Sequence, residues 1–278
     1  MITITTSNVN GIRAAKRKGI ETWAGEHAPD IWCMQEVRAP QDELDPIFGE
    51  FGFEYATAGK IADQSELTAM NEVCRVKGRA GVGLLTDLPV TARRYGLPGL
   101  DEDVDSGRWI EADVTTPQGY GITVACVYVH AGNSDDPVKM AQKYRFLDTM
   151  LTRMGELRDE ASRGGRQAVL CGDFNIAHTP LDIKNAKANI KHAGSCPPNA
   201  PTSTAGWGST SSWTSYARSP ATSRGRTRGG ASAAGRSTAT SAGASTISSP
   251  LRNSPRRHEA SSSTRRPAMT PAGPTMRR

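Results

Sequence analysis

No run in the 278 residues approaches the roughly 20 apolar residues that span a bilayer, so a membrane-embedded chain is not expected. The amino-terminal ITITTSNVN alternates in polarity and has no basic start ahead of an apolar stretch, which argues against a secretory leader. Cysteine is scarce and odd in number (Cys33, Cys74, Cys126, Cys171, Cys196), without a CxxC pair, which argues against a disulfide framework. Three of these cysteines lie in apolar, strand-like runs, where a free thiol acts as a small core residue. A reduced, cytoplasmic setting is expected.

The last third lacks acid. Residues 195–278 hold 12 Arg, no Lys, no Asp and only Glu259, a net charge of +11. Residues 1–194 hold 22 Lys and Arg against 27 Asp and Glu, a net of −5, which brings the whole to +6. The tail also has 18 Ser, no Val and no Phe, with Leu251 and Ile247 alone of their kinds. So few apolar side chains cannot offset chain entropy. The expected organisation is part of one domain over 1–194 and a disordered Arg/Ser/Ala-rich tail over 195–278.

Within 1–194 the pattern is layered. A first strand reads through Ile2, Ile4 and Val9 and breaks at Asn10-Gly11, and a surface helix reads over 12–26. The apolar run Ile31-Trp32-Cys33-Met34 follows, then a short helix over 40–49, a strand near 53–58 and a long polar connection over 60–78. Four strands read at Gly81–Thr86, Val90–Tyr95, Trp109–Thr115 and Gly121–Val129. A long helix reads over 138–162, and Ala168–Cys171 forms a strand that delivers Gly172-Asp173-Phe174-Asn175. Strands that first alternate with helices and then run consecutively fit an α/β sandwich better than a strict βαβ repeat.

Strand ends are where such folds carry chemistry. Taken singly, each candidate has an ordinary explanation. Asn8 and Asn10 suit a turn or a helix cap. Glu36 suits a surface position, Tyr128 a strand aromatic, and Arg108 an exposed strand start. His130 and His178 have no partner visible from spacing. Hard divalent cations take strand-end carboxylates, and Mg²⁺ often keeps several waters with one or two protein carboxylates. Asp173, able to orient or deprotonate water, stands beside the Asn175 amide, a donor for a phosphate oxygen. That pair suits phosphodiester hydrolysis.

The order of these pieces is more specific than any one of them. SNVNGIR, PDIWCMQE, GRW, VYVHAG and GDFN, in that sequence, closely resemble the exonuclease III family of DNA-repair nucleases, within the wider endonuclease–exonuclease–phosphatase superfamily. The resemblance covers residues 1 to about 194. It implies a four-layer α/β sandwich of two packed mixed β-sheets flanked by helices, and Mg²⁺ (or Mn²⁺) as cofactor. It also implies a monomer acting on double-stranded DNA at abasic sites or 3′ ends. By the same resemblance Asn8 and Glu36 lie at the metal, Tyr128 contacts the scissile phosphate, and Asp173 orients or deprotonates the attacking water. Asn175 helps hold the phosphate, and Arg13 and Arg108 lie near the DNA backbone. His130 departs from the family's usual proline two residues after the tyrosine. The QE and GDFN boxes also occur in sphingomyelinase-like and inositol-phosphatase-like relatives, so a phosphatase or lipid phosphodiesterase is the alternative reading.

The family's later Trp-Arg-Ile-Asp-Tyr and Ser-Asp-His boxes are missing, and the resemblance stops where the composition changes. A shifted reading frame accounts for both. Taking the third base of each codon with the next two, Trp213-Thr214 and Met269-Thr270 each encode Asp. Residues 242–247 permit Trp-Arg-Ile-Asp-Tyr, and residues 273–278 permit Ser-Asp-His-Ala-Pro. A C-terminally incomplete, inactive chain is therefore expected. The competing reading is a non-catalytic remnant whose basic tail binds nucleic acid.

Overall fold

The computed structural model describes residues 1–177, 183, 185–189 and 191–194, and the backbone of 245–249. The expected four-layer sandwich is present. One mixed sheet has the order β3-β4-β2-β1-β9, built from β3 (Thr68–Glu72), β4 (Val82–Thr86), β2 (Ile31–Gln35), β1 (Ile2–Asn8) and β9 (Ser245–Ser249). The other has the order β5-β6-β7-β8, from β5 (Val90–Tyr95), β6 (Trp109–Thr115), β7 (Gly121–Tyr128) and β8 (Gln167–Asp173). Only β1–β2 and β7–β8 pair in parallel, and the other neighbours are antiparallel.

Alternation along the strands builds three apolar interfaces. In β2, Ile31 and Cys33 face the other sheet, while Trp32 and Met34 face the helices α2 (Ile20–His27) and α3 (Gln41–Thr57). In β7, Ile122, Val124 and Cys126 face the first sheet, while Ala125 and Val127 face α5 (Pro137–Ser162) through Phe146, Leu147 and Met150. Both strands are buried on both faces, which is why their sequences are nearly unbroken apolar runs. Cys33, Cys126 and Cys171 are buried free thiols in the inter-sheet layer. Hydrogen bonding from Cys126 and Cys171, then burial, pushes the Cys33 thiol well above its ordinary value.

Four local expectations need correction. The helix over 12–26 is two pieces, α1 (Ile12–Lys16) and α2, because Gly19 takes the left-handed conformation at φ 82° between them. The strand near 53–58 is instead the second half of α3. Leu44, Ile47, Phe48, Phe51 and Tyr55 are buried at helical spacing, and helix continuation buries Tyr55, whose hydroxyl donates to Pro29 O at 3.0 Å. The polar connection over 60–78 contains a 3-10 turn (Gln64–Glu66) and β3, a strand held by pairing with β4 though only Met70 is buried in it. In the tail expected to be disordered, Ser245–Ser249 forms an edge strand antiparallel to β1. The remaining tail, including residues 242–244 and 273–278 on which the reading-frame expectation rests, lies outside the described residues. A four-residue helix α4 (Glu102–Asp105) and another, α6 (Ala186–Asn189), complete the elements.

Candidate active site

The two parallel pairs bring four strand ends to one edge of the sandwich. Register pairs Asn8 with Gln35 at the ends of β1 and β2, and Tyr128 with Asp173 at the ends of β7 and β8. Two hydrogen bonds then cross from sheet to sheet. Asn8 Nδ2 donates to Asp173 Oδ2 at 2.8 Å, and the Tyr128 hydroxyl donates to Glu36 Oε1 at 2.7 Å. Beneath them Gln35 Nε2, in the buried layer, donates to Cys126 Sγ at 3.2 Å and to Thr6 Oγ1 at 3.1 Å.

Each carboxylate is held from a second side. Asp173 Oδ1 accepts from the Asn175 backbone N–H at 3.0 Å, and Glu36 Oε2 accepts from Arg38. Glu36 and Arg38 have left-handed backbones at φ 56° and 53°, and Asn175 at 49°. Such conformations cost roughly 1–3 kcal/mol each and persist where surrounding contacts over-determine them. For Glu36 those contacts are explicit. Gly11 N–H donates to Glu36 O at 2.7 Å, Ile12 N–H to Val37 O at 2.9 Å, and Arg38 N–H to Ala80 O at 3.0 Å. The NVNGIR segment thus positions the QE box through main-chain bonds.

Tyr128 is half-buried, and burial first, then the hydrogen bond to Glu36, raises its phenol well above the ordinary value. Arg108 lies over the Tyr128 ring at 5.1 Å, and its guanidinium donates to Tyr128 O at 3.2 Å. It is not the exposed strand-start residue its position suggested, and burial lowers its pKa. Its Nε is buried without a hydrogen-bond partner among the described residues. The turn that presents Arg108 is fixed by Glu72, which accepts from Arg108 N and Trp109 N, both at 3.0 Å. Arg13 stays on the exposed rim, paired with Glu43 at 2.9 Å, and contacts none of the four central side chains. Asn175 Nδ2 donates to Val129 O at 2.8 Å, so this amide ties the GDFN turn to the end of β7.

His130 is buried beside this cluster, with Nε2 at 2.6 Å from Asp105 Oδ1, while Arg145 holds Asp105 Oδ2 at 2.8 Å. Burial, then the nearby Arg108, lowers the imidazole to about 4. The neutral ring donates its Nε2 proton to Asp105, a structural role. His178 lies outside the described residues. Arg38, Glu72 and Asp105 have no sequence signal beyond charge.

Among the described residues no group of three or more His, Cys, Asp or Glu converges as a metal site. At these strand ends stand the Glu36 carboxylate and the Asn8 amide oxygen, beside the Asp173 carboxylate to which Asn8 donates. That donor set fits a hard cation that keeps most of its waters, and not a soft metal.

Acid, amide and phenol side chains gathered where four strands of two packed sheets end define a class: an α/β sandwich with its site at the strand termini. The sequence profile of the endonuclease/exonuclease/phosphatase family matches residues 5–228, and the chain belongs to that family. A DNA-(apurinic or apyrimidinic site) endonuclease of Dictyostelium discoideum is 27% identical over 191 residues, covering 69% of this chain and 46% of that protein. The exodeoxyribonuclease of Bacillus subtilis is 26% identical over 188 residues, covering 67% of this chain and 64% of that protein. The solved AP endonuclease from Archaeoglobus fulgidus superposes with a TM-score of 0.55 at 26% identity, over 70% of this chain and 66% of the other. The chain therefore spans between about half and just under two thirds of the length of these relatives.

Proposed function

We propose that residues 1–194 are the larger part of a DNA-repair phosphodiesterase that cuts duplex DNA at abasic sites or 3′ ends. The observation that carries this reading is the cross-sheet pair of hydrogen bonds, Asn8 to Asp173 and Tyr128 to Glu36. The relatives named AP endonuclease and exodeoxyribonuclease support DNA as substrate.

Glu36 and Asn8 would hold Mg²⁺ (Mn²⁺ as substitute), with Arg38 giving up its contact to Glu36. A cation held there would supply charge compensation on the phosphate and the leaving oxygen. Asp173, fixed at both oxygens, orients the attacking water and takes its proton. Tyr128, once its single hydroxyl proton turns from Glu36, and Asn175, with the amide hydrogen not engaged by Val129, would donate to phosphate oxygens. The buried Arg108 adds positive charge behind Tyr128, and Arg13 meets the DNA backbone from the rim. A monomeric, cytoplasmic enzyme completes the reading.

The chain as written lacks the Trp-Arg-Ile-Asp-Tyr and Ser-Asp-His boxes, and with them the Asp of the first and the Asp-His pair of the second. Groups of that kind contribute factors of roughly 10² to 10⁴ each, so its turnover is expected to be close to nil. The test is nicking of an abasic duplex by the 278-residue chain with Mg²⁺ and with chelator, beside the Bacillus subtilis exodeoxyribonuclease. At most a trace of Mg²⁺-dependent nicking, orders of magnitude below the Bacillus subtilis enzyme and not inhibited by excess small phosphoesters, is the expected result. Hydrolysis of those phosphoesters in preference to DNA would move the reading to a phosphatase.

A further inference from the structure

Lys143 stands near the start of α5 and is only 1% exposed. Its ammonium donates to three backbone carbonyls: Asn175 O at 2.8 Å, Ala193 O at 3.0 Å and Ala131 O at 3.1 Å. An ammonium has three N–H donors, and three segments of chain each supply an acceptor. Burying such a charge is costly unless it is hydrogen-bonded, and a methionine would fill the space without that cost.

The three segments are the loop leaving β7, the GDFN turn and the 191–194 segment. They also hold one another, since Ala177 N–H donates to Gly194 O at 2.8 Å and Ser134 Oγ to Lys191 O at 2.7 Å. Gly132 makes room for the lysine stem: at φ 74°, a Cβ there would stand 3.0 Å from Lys143 Cδ and 3.1 Å from Ala193 Cβ. One turn further along α5, Phe146, Leu147 and Met150 pack against Phe174 and Ile176 of the same turn. The helix thus grips GDFN by an apolar patch on one side and by a buried cation on the other.

We propose that Lys143 is a positioning residue that sets the active-site carboxylate through Asn175. Its bond to Asn175 O holds that residue in the left-handed conformation. In that conformation the Asn175 N–H reaches Asp173 Oδ1 and its side chain reaches Val129 O. Lys143 touches no substrate. Its effect on rate rests on the phosphodiesterase reading, whereas its effect on the turn does not.

The test is hydrogen exchange read by mass spectrometry on the full chain, wild type against K143M. Exchange is expected to rise at least about tenfold over Phe174–Ala177 and at Ala193 and Gly194, with β2 and β6 unchanged. K143Q, which keeps two of the three donors, falls between. Where nicking is measurable, K143M lowers kcat per folded molecule by roughly a hundredfold with KM little changed. Unchanged exchange over the turn, or a rise spread evenly through β6, β7 and α5, overturns the proposal. If K143M does not fold, the wild-type chain labelled with ε-¹⁵N lysine decides. A slowly exchanging ammonium signal with proton contacts to Gly132 supports the proposal, and its absence overturns it. Altered exchange in K143M, with no nicking by the chain whose reading frame is restored after codon 194, would leave the positioning role standing and remove the nuclease reading.

Discussion

Asn8 and Asp173 are 165 residues apart in the chain, and the amide of one donates to the carboxylate of the other at 2.8 Å. The contact exists because each residue ends a strand of a parallel pair and the two pairs belong to facing sheets. With Tyr128 and Glu36 making the second crossing, the site is also a clasp between the sheets. Changes in either pair should be read in stability as well as in chemistry.

Tyr128→Phe removes a hydrogen bond from a half-buried phenol, and Glu36 Oε1 loses that donor. A loss of about 1–2 kcal/mol is expected in urea unfolding, with the slope on denaturant unchanged. A larger loss would mean that the clasp is cooperative with the packing beneath it.

The raised phenols of Tyr128 and Tyr55 give a sign to alkaline stability. Burial is the leading cause in both. Their contribution is fully present below the ordinary tyrosine value near 10 and is lost as pH rises above it, because only the unfolded chain ionises there. Absorbance titration of the folded protein against its Tyr128→Phe and Tyr55→Phe variants should therefore show these two phenols remaining protonated through pH 11.

His130 acts at the other end of the range. Its folded value of about 4 lies below the ordinary 6.5, so the unfolded chain binds the proton first. Stability present above about 6.5 is lost as pH falls toward 4, by on the order of 3 kcal/mol at most. His130→Gln should flatten that slope in thermal melts between pH 6.5 and 4. Glu111 and Asp113, whose values the arginine network of Arg94 and Arg153 holds down, begin to lose their contribution only at the bottom of that window, as pH falls through the ordinary carboxylate range, and go on losing it below.

Gly172 has no room for a side chain. At φ 148°, an added Cβ would stand 2.0 Å from Val127 O, on the parallel neighbour in the sheet. Gly172→Ala should cost above about 3 kcal/mol, or give insoluble protein, since β7 and β8 must separate. Soluble protein with wild-type melting would contradict the register of β7 and β8.

Much of this was legible in the sequence. Strands buried on both faces, such as β2 and β7, announce themselves as apolar runs, and β5 and β6 have the bounds their patterns suggest. Patterning failed where tertiary context decides. FGFEYA carries aromatic residues that suit a strand, yet their burial continues a helix, and TAMNE is a strand only because β4 pairs with it. The site residues were legible one by one, but their partners were not. Arg38 reads as a surface charge, and Lys143 as a residue on the wet face of a helix. Only the converging strand ends make one a partner of Glu36 and the other a buried clamp on GDFN.

The most direct test restores the alternative reading frame after codon 194 and measures nicking of an abasic duplex with Mg²⁺, with and without Asp173→Asn. The account predicts that the restored chain gains several orders of magnitude over the 278-residue chain and that Asp173→Asn removes the gain. A restored chain no more active than the original, or one indifferent to Asp173→Asn, would contradict it.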